Sequence, residues 1–255
     1  MGAFVRSSDL HARHAHPRHQ FKSVALTHPG LVRQSNEDRV LDRQEAGLWA
    51  VADGMGGHPQ GDLASTLIVE ALGGLAAGGS PYAYLRNVQE ALQSVNRALI
   101  TRAAATPSAR VIGSTVVVLL IIEGYYACLW AGDSRAYRWR AGELQQLTRD
   151  HSLVQALVDA GSLRQQEART HRQAHVITRA LGESEHLVLD MRNGPVLIGD
   201  RFLLCSDGLT NLVANDEIEG KLREGDPVIA ANQLMALAMQ RGGGDNVSVV
   251  VVDVA

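Results

Sequence analysis

Apolar residues fall into two rhythms along this chain. FKSVALTH (21–28) alternates in the manner of a half-buried strand, whereas LWAVAD (48–53), GSTVVVLLII (113–122), YYACLWAG (125–132), RFLLCSD (201–207) and NVSVVVVDV (246–254) are almost unbroken apolar runs, as expected of strands buried on both faces. SRAYRWR, ELQQLT and HLVLDMR add shorter strands, with Arg140-Ala141-Gly142 predicted as a hairpin turn. In ASTLIVEALGGLAAG (64–78) and PYAYLRNVQEALQSVNRALITRAAA (81–105) the apolar spacing changes to three or four, predicting two helices joined by a glycine turn. Ser152 to Gly161 predicts a short helix, 162–175 is polar and irregular, and DEIEGKLRE and DPVIAANQLMALAMQRG predict two more helices. Hairpins interrupted by paired helices argue against a parallel doubly wound sheet. They favour an α+β fold: an αββα sandwich of two antiparallel sheets flanked by helix pairs, in one domain spanning 21–255.

The acids sit where these runs stop. Asp53, Asp133 and Asp207 close apolar strands and Asp245 opens one. In antiparallel sheets the end of one strand lies beside the start of the next, so all four carboxylates can meet on one rim. Pairing Leu41 or Asp42 with Leu48 or Trp49 across the QEAG turn places Asp38 roughly opposite Asp53, and Glu37 follows. Gathered anions repel and must take up protons or a cation. Hard divalent ions, Mg²⁺ or Mn²⁺, suit oxygen ligands. Arg33, a few residues upstream, carries the planar fork that binds phosphate in bidentate fashion.

Composition narrows the classes. A length of 255 residues permits a large core, and a net charge of -3 gives no sign of a nucleic-acid or membrane surface. The two cysteines, Cys128 and Cys205, lie in apolar strands and read as buried free thiols, as in a reducing compartment. No apolar run approaches a membrane span and no signal-peptide core is visible, so a soluble, cytoplasmic protein is expected. Residues 1–20, rich in Arg and His, read as a mobile tail.

Eight segments in order, GLVRQSNEDR, VADGMGGH, GSTVVV, AGDSRAYR, LTRDHS, ITRALG, LLCSDGLT and DNVSVVVV, give the chain from about Phe21 to Val254 a family resemblance. It resembles the metal-dependent Ser/Thr protein phosphatases of type 2C, the PPM family, in its bacterial branch. The resemblance implies the αββα sandwich already read from the pattern. It also implies two tightly bound Mn²⁺ or Mg²⁺ ions and a third, weaker one. Asp53 resembles the carboxylate bridging two ions, Gly54 supplies a carbonyl, and Asp207 and Asp245 resemble direct ligands. Glu37 and Asp38 match acids acting through water, Asp133 matches a ligand of the third ion, Arg33 matches the phosphate-gripping arginine, and His58 stands where a general acid is proposed. The segment from Ser152 to about Val176 resembles a flap beside the site, with Arg172 and His175 where Pro and Asn are expected in bacterial relatives.

The implied function is hydrolysis of phosphoserine and phosphothreonine in proteins by a metal-activated water, by a monomer opposing a bacterial Ser/Thr kinase. The alternatives are a pseudophosphatase that binds phosphoproteins without turnover, which need not keep clustered acids, and a two-metal nuclease, for which a basic groove is lacking. Away from the cluster, Asp200 and Asp253 read as solvated strand-end charges, Asp150 with His151 as the cap of the following helix, and Arg135 and Arg179 as structural partners of the acids. Ser134 and Ser206 stand beside aspartates, but no nucleophile elbow surrounds them.

Overall fold

The computed structural model describes residues 20–57, 59–105, 112–168, 170–223 and 225–255. His58 and nearly all of the expected N-terminal tail lie outside these residues.

Strands β1 (Phe21–His28), β11 (Val247–Val254), β10 (Arg201–Cys205), β7 (Arg135–Arg140) and β8 (Glu143–Gln146) form one antiparallel sheet in that spatial order. The other sheet runs β2 (Asp38–Arg43), β3 (Leu48–Met55), β5 (Val116–Ile122), β6 (Tyr125–Ala131), β9 (Asp190–Pro195), with the short β4 (Gly113–Ser114) paired to β3. The unbroken apolar runs are explained by alternation between two cores. In β3, Trp49 and Val51 point between the sheets, while Leu48, Ala50 and Ala52 pack under helices α1 (Gln60–Gly73) and α2 (Pro81–Ala104). In β11, Val250, Val252 and Val254 face the inter-sheet core, and Val247, Val249 and Val251 face α6 (Asn215–Leu222) and α7 (Pro227–Gln240). A run that is apolar at every position thus satisfies a period of two on each side. The four layers are those of the αββα sandwich.

Helix starts follow local chemistry. Ser80 caps α2 by accepting from the Ala83 amide (3.2 Å), and Asp226 caps α7 by accepting from Val228 (2.9 Å), each followed by proline at the first helical position. Helix α3 (Leu153–Asp159) begins the segment that resembles a flap, and Ser152 caps it, accepting from the Gln155 amide at 3.3 Å. That corrects the assignment to Asp150 and His151. The Asp150 carboxylate instead takes the Arg135 fork at 2.9 and 2.6 Å, and His151 Nδ1 accepts the Gly132 amide at 3.1 Å. The Ala141–Gly142 turn is as predicted, both residues having positive φ. HLVLDMR differs: the strand begins only at Asp190, because Leu187 is drawn into the helix-side core, where its carbonyl accepts from Gln93 of α2. Asp200 and Asp253 are not solvated charges either. Asp200 is 1% exposed and bound by Arg140, and Asp253 receives both arms of Arg201. Both cysteines are buried, and burial pushes each thiol up to about 12.

Candidate metal centre and phosphate cleft

The rim where the strands end opens into a cleft of about 870 Å³. Its walls bring together Arg33, Glu37, Asp53, Gly54, Asp207 and Asp245. Hairpin β2–β3 sets Asp38 directly opposite Asp53, the register expected from the turn. The other sheet contributes Asp207, two residues after β10, and Asp245, two residues before β11. Asp133 lies beneath, in the loop between β6 and β7, and faces Asp207 across a smaller pocket that it shares with Arg135 and Asp150.

Each acid is held by groups whose purpose is hard to see in sequence. Asp38 is fully buried, and its Oδ2 accepts from Ser206 (2.8 Å) and Ser248 (2.7 Å), while its Oδ1 has no partner. Ser206 is therefore an anchor for Asp38. The backbone of Asp53 is clamped: its carbonyl accepts from the Thr115 amide and the Ser114 hydroxyl, both at 2.9 Å, and its amide donates to Thr115 Oγ1 at 3.3 Å. The hydroxyls of Thr115 and Ser134 share a hydrogen bond at 2.7 Å, tying the Asp133 loop to β3. Asn246 fastens three segments, donating to the carbonyls of Pro29 and Ser35 (2.9 Å each) and accepting from the Glu37 amide (2.8 Å). Gly54 is required by packing, since a Cβ there would lie 2.1 Å from the Gly61 carbonyl oxygen.

The electrostatics are those of an uncompensated anion cluster. Burial, then the charges of Asp38, Asp207, Asp133 and Asp245, push Asp53 well above the usual carboxylate range. Burial raises Asp38 to about 7 against the opposing serine hydrogen bonds, with Asp207 and Asp245 adding to the rise. Asp133, whose Oδ1 is also buried without a partner, rises to about 8 through burial and the charges of Asp207 and Asp150. Asp207 is raised by burial and by Asp245. Two carboxylates opposed across a hairpin destabilise it unless something neutralises them. Among the described residues no three acids, histidines or cysteines close into a finished cage. The donor set nonetheless fits a hard cation: all oxygen, partly desolvated, with two buried oxygens still lacking partners.

Arg33 donates to Asp245 Oδ2 at 2.8 Å, and its side chain stays 58% exposed, so the fork stands at the mouth of the cleft. Of the two arginines read as partners of the acids, Arg135 binds Asp150 and lowers Asp133 and Asp207 by its charge, whereas Arg179 binds Asp190. His175 reaches the cleft with Nδ1 4.0 Å from Asp207 Oδ2.

Known proteins resemble this chain over most of its length. Residues 30–240 match the family model described as protein phosphatase 2C. The serine/threonine protein phosphatase PstP of Mycobacterium tuberculosis is 40% identical over 232 residues, covering 91% of this chain; the chain spans 44% of that relative's length. Among solved structures, PppA, a regulatory component of T6SS in Pseudomonas aeruginosa, superposes with a TM-score of 0.86 at 42% identity, covering 92% of this chain and 98% of the other. The catalytic domain of PstP in complex with two manganese ions gives a TM-score of 0.83 at 36% identity, over 92% and 98% of the two chains.

Proposed function

Because the chain belongs to the protein phosphatase 2C family, we propose that it is a bacterial protein phosphatase that hydrolyses phosphoserine and phosphothreonine with the help of Mn²⁺ or Mg²⁺. The observation that carries this reading is the meeting of Asp38 and Asp53 from one sheet with Asp207 and Asp245 from the other, beside the exposed Arg33 fork. Asp53, Asp207, Asp245 and the Gly54 carbonyl would hold two ions directly, Glu37 and Asp38 through water, and Asp133 with Asp207 a third, weaker one. The PstP complex with two manganese ions supports such an assignment by likeness. When bound, divalent ions supply a water acidic enough to attack phosphorus near neutral pH.

The protein's own part is to place charge. Arg33 binds the phosphate oxygens and offsets their negative charge as the bond to the serine or threonine oxygen breaks. The clamped Asp53 backbone and the Asn246 ties keep the acids fixed while the substrate enters. His58 is proposed to protonate the leaving oxygen. In the cell the substrates would be phosphoproteins made by a Ser/Thr kinase that this enzyme opposes.

Phosphate release from a phosphothreonine peptide, with Mn²⁺ and with a chelator, tests the proposal beside an assay for DNA cleavage. Release that needs the cation, with DNA intact, is the expected result. Peptide binding without release would make the chain a phosphoprotein-binding module, and cleavage of DNA would make it a nuclease.

A further inference from the structure

Leu31 and Val32 are 63% and 69% exposed, and they immediately precede Arg33. Single exposed aliphatic residues are common on protein surfaces, but these two are neighbours, and their loop is held firmly. The Leu31 amide donates to the Gly243 carbonyl at 2.7 Å. A Cβ on Gly243 would lie 3.2 Å from Leu31 Cγ, so the leucine packs flush against that glycine. Gly30, at φ +81°, has no room for a side chain: a Cβ would meet the Asp245 and Gly243 carbonyl oxygens at 2.2 and 2.5 Å. The turn 30–33 is thus pressed onto 243–245, the segment whose Gly244 and Asp245 line the cleft, and Arg33 closes the clamp through Asp245.

A rigid strap therefore presents an apolar pair beside a phosphate-binding cation. Adjacent α-carbons are ~3.8 Å apart and an extended peptide advances ~3.3 Å per residue, so a peptide whose phosphate reaches Arg33 can lay a side chain one or two positions away on Leu31 and Val32. The cleft lining also includes Met55, Ile177 and Leu212, which favours an apolar neighbour over a charged one. Asp245 and the other acids would repel an acidic flank.

We infer that Leu31 and Val32 form a docking ledge for an apolar residue within two positions of the phosphorylated Ser or Thr, so that apolar-flanked phosphosites are the preferred substrates. The inference rests on the phosphatase reading and narrows it. Because the ledge is fixed before binding, the contact is made without ordering a loop, and its effect appears in the capture of peptide.

The test uses a set of phosphothreonine hexapeptides that differ only at the two positions on either side of the phosphorylated residue, with leucine, glycine or aspartate there. It compares the protein with its Leu31→Ser/Val32→Ser variant. Within each protein the quantity read is the ratio of kcat/KM between leucine-flanked and glycine-flanked peptides. The unsubstituted protein should favour leucine by about tenfold, the scale of burying part of an aliphatic side chain, and the double variant should bring the ratio close to one. A ratio that survives the double substitution, or that is already near one without it, overturns the ledge while leaving the phosphatase reading intact. Absence of release from every peptide and from p-nitrophenyl phosphate, which has no flanks, would overturn the phosphatase reading itself.

Discussion

Replacing Asp38 with asparagine should stabilise the metal-free protein at alkaline pH. Burial holds Asp38 at about 7, against 3.8 for a free carboxyl, so across the interval between them the folded chain keeps a proton that the unfolded chain has released. A group whose folded pKa is raised stabilises fully below its unfolded value, and that contribution is lost as pH rises through the folded value. Between pH 5 and pH 7 the loss is about 1.4 kcal/mol per pH unit, hence ~3 kcal/mol from Asp38 alone, before Asp133 and Asp53 add theirs in the same direction. For a chain of this size that corresponds to a fall in Tm on the order of 10 °C. Asparagine is nearly isosteric and its carbonyl can accept from Ser206 and Ser248, but it carries no charge. With a chelator present, thermal unfolding of the two proteins should coincide near the unfolded value of 3.8, differ already at pH 5 and diverge further by pH 8, the Asp38→Asn variant melting higher. Adding Mn²⁺ should reverse the order, since the unsubstituted protein gains more from the cation as its acids ionise. Parallel melting curves in chelator from pH 5 to pH 8 would falsify the argument that Asp38 is held protonated by its surroundings.

Arg33→Ala removes a charged contact of about 1.5–3 kcal/mol, so kcat/KM for phosphopeptides should fall tenfold or more while the Mn²⁺-induced rise in Tm is largely kept; an unchanged kcat/KM takes Arg33 out of the site. Asp207→Ala should abolish turnover together with most of the stabilisation by Mn²⁺, whereas Asp133→Ala should lose turnover and keep most of the stabilisation. Equal loss of stabilisation in both variants would end that division of labour. Asn246→Ala strips partners from the Pro29 and Ser35 carbonyls and the Glu37 amide, and about 2–4 kcal/mol should disappear from urea unfolding, with an unshifted midpoint counting against its tethering role.

The site was legible where geometry is local. Asp38 opposite Asp53 follows from a six-residue arm and a short turn, and the other acids follow from apolar strands that end or begin beside a charge. Alternation between two cores also made the four layers readable, because strands apolar at every position require cover on both faces. What could not be read depends on partners far away in sequence. Asp200 reads in sequence as a solvated strand-end charge because its partner, Arg140, stands 60 residues earlier, and Arg201 reaches Asp253 across 52. Ser206 and Ser248, 42 residues apart, converge on an acid more than 160 residues upstream, which no local pattern announces. Asp150 misleads for a smaller reason: an acid, a histidine and a serine in a row all suit a cap, and the Arg135 contact and the Ser152 cap decide among them.

The position of β11 bears on how the protein folds. It is the last of the strands along the chain, yet it lies inside its sheet, pairing with β1 on one side and β10 on the other. Phe21 is thereby matched with Val254, a closure over more than two hundred residues. Loop entropy must be overcome before such pairing returns any energy, so folding should be slow and limited by the arrival of this one strand. Until it arrives, β1 and β10 expose edges able to pair with other chains. A ribosome-bound intermediate lacking β11 would therefore be a natural client for a chaperone, and Asp245, just ahead of that strand, would be the last acid to reach the cleft.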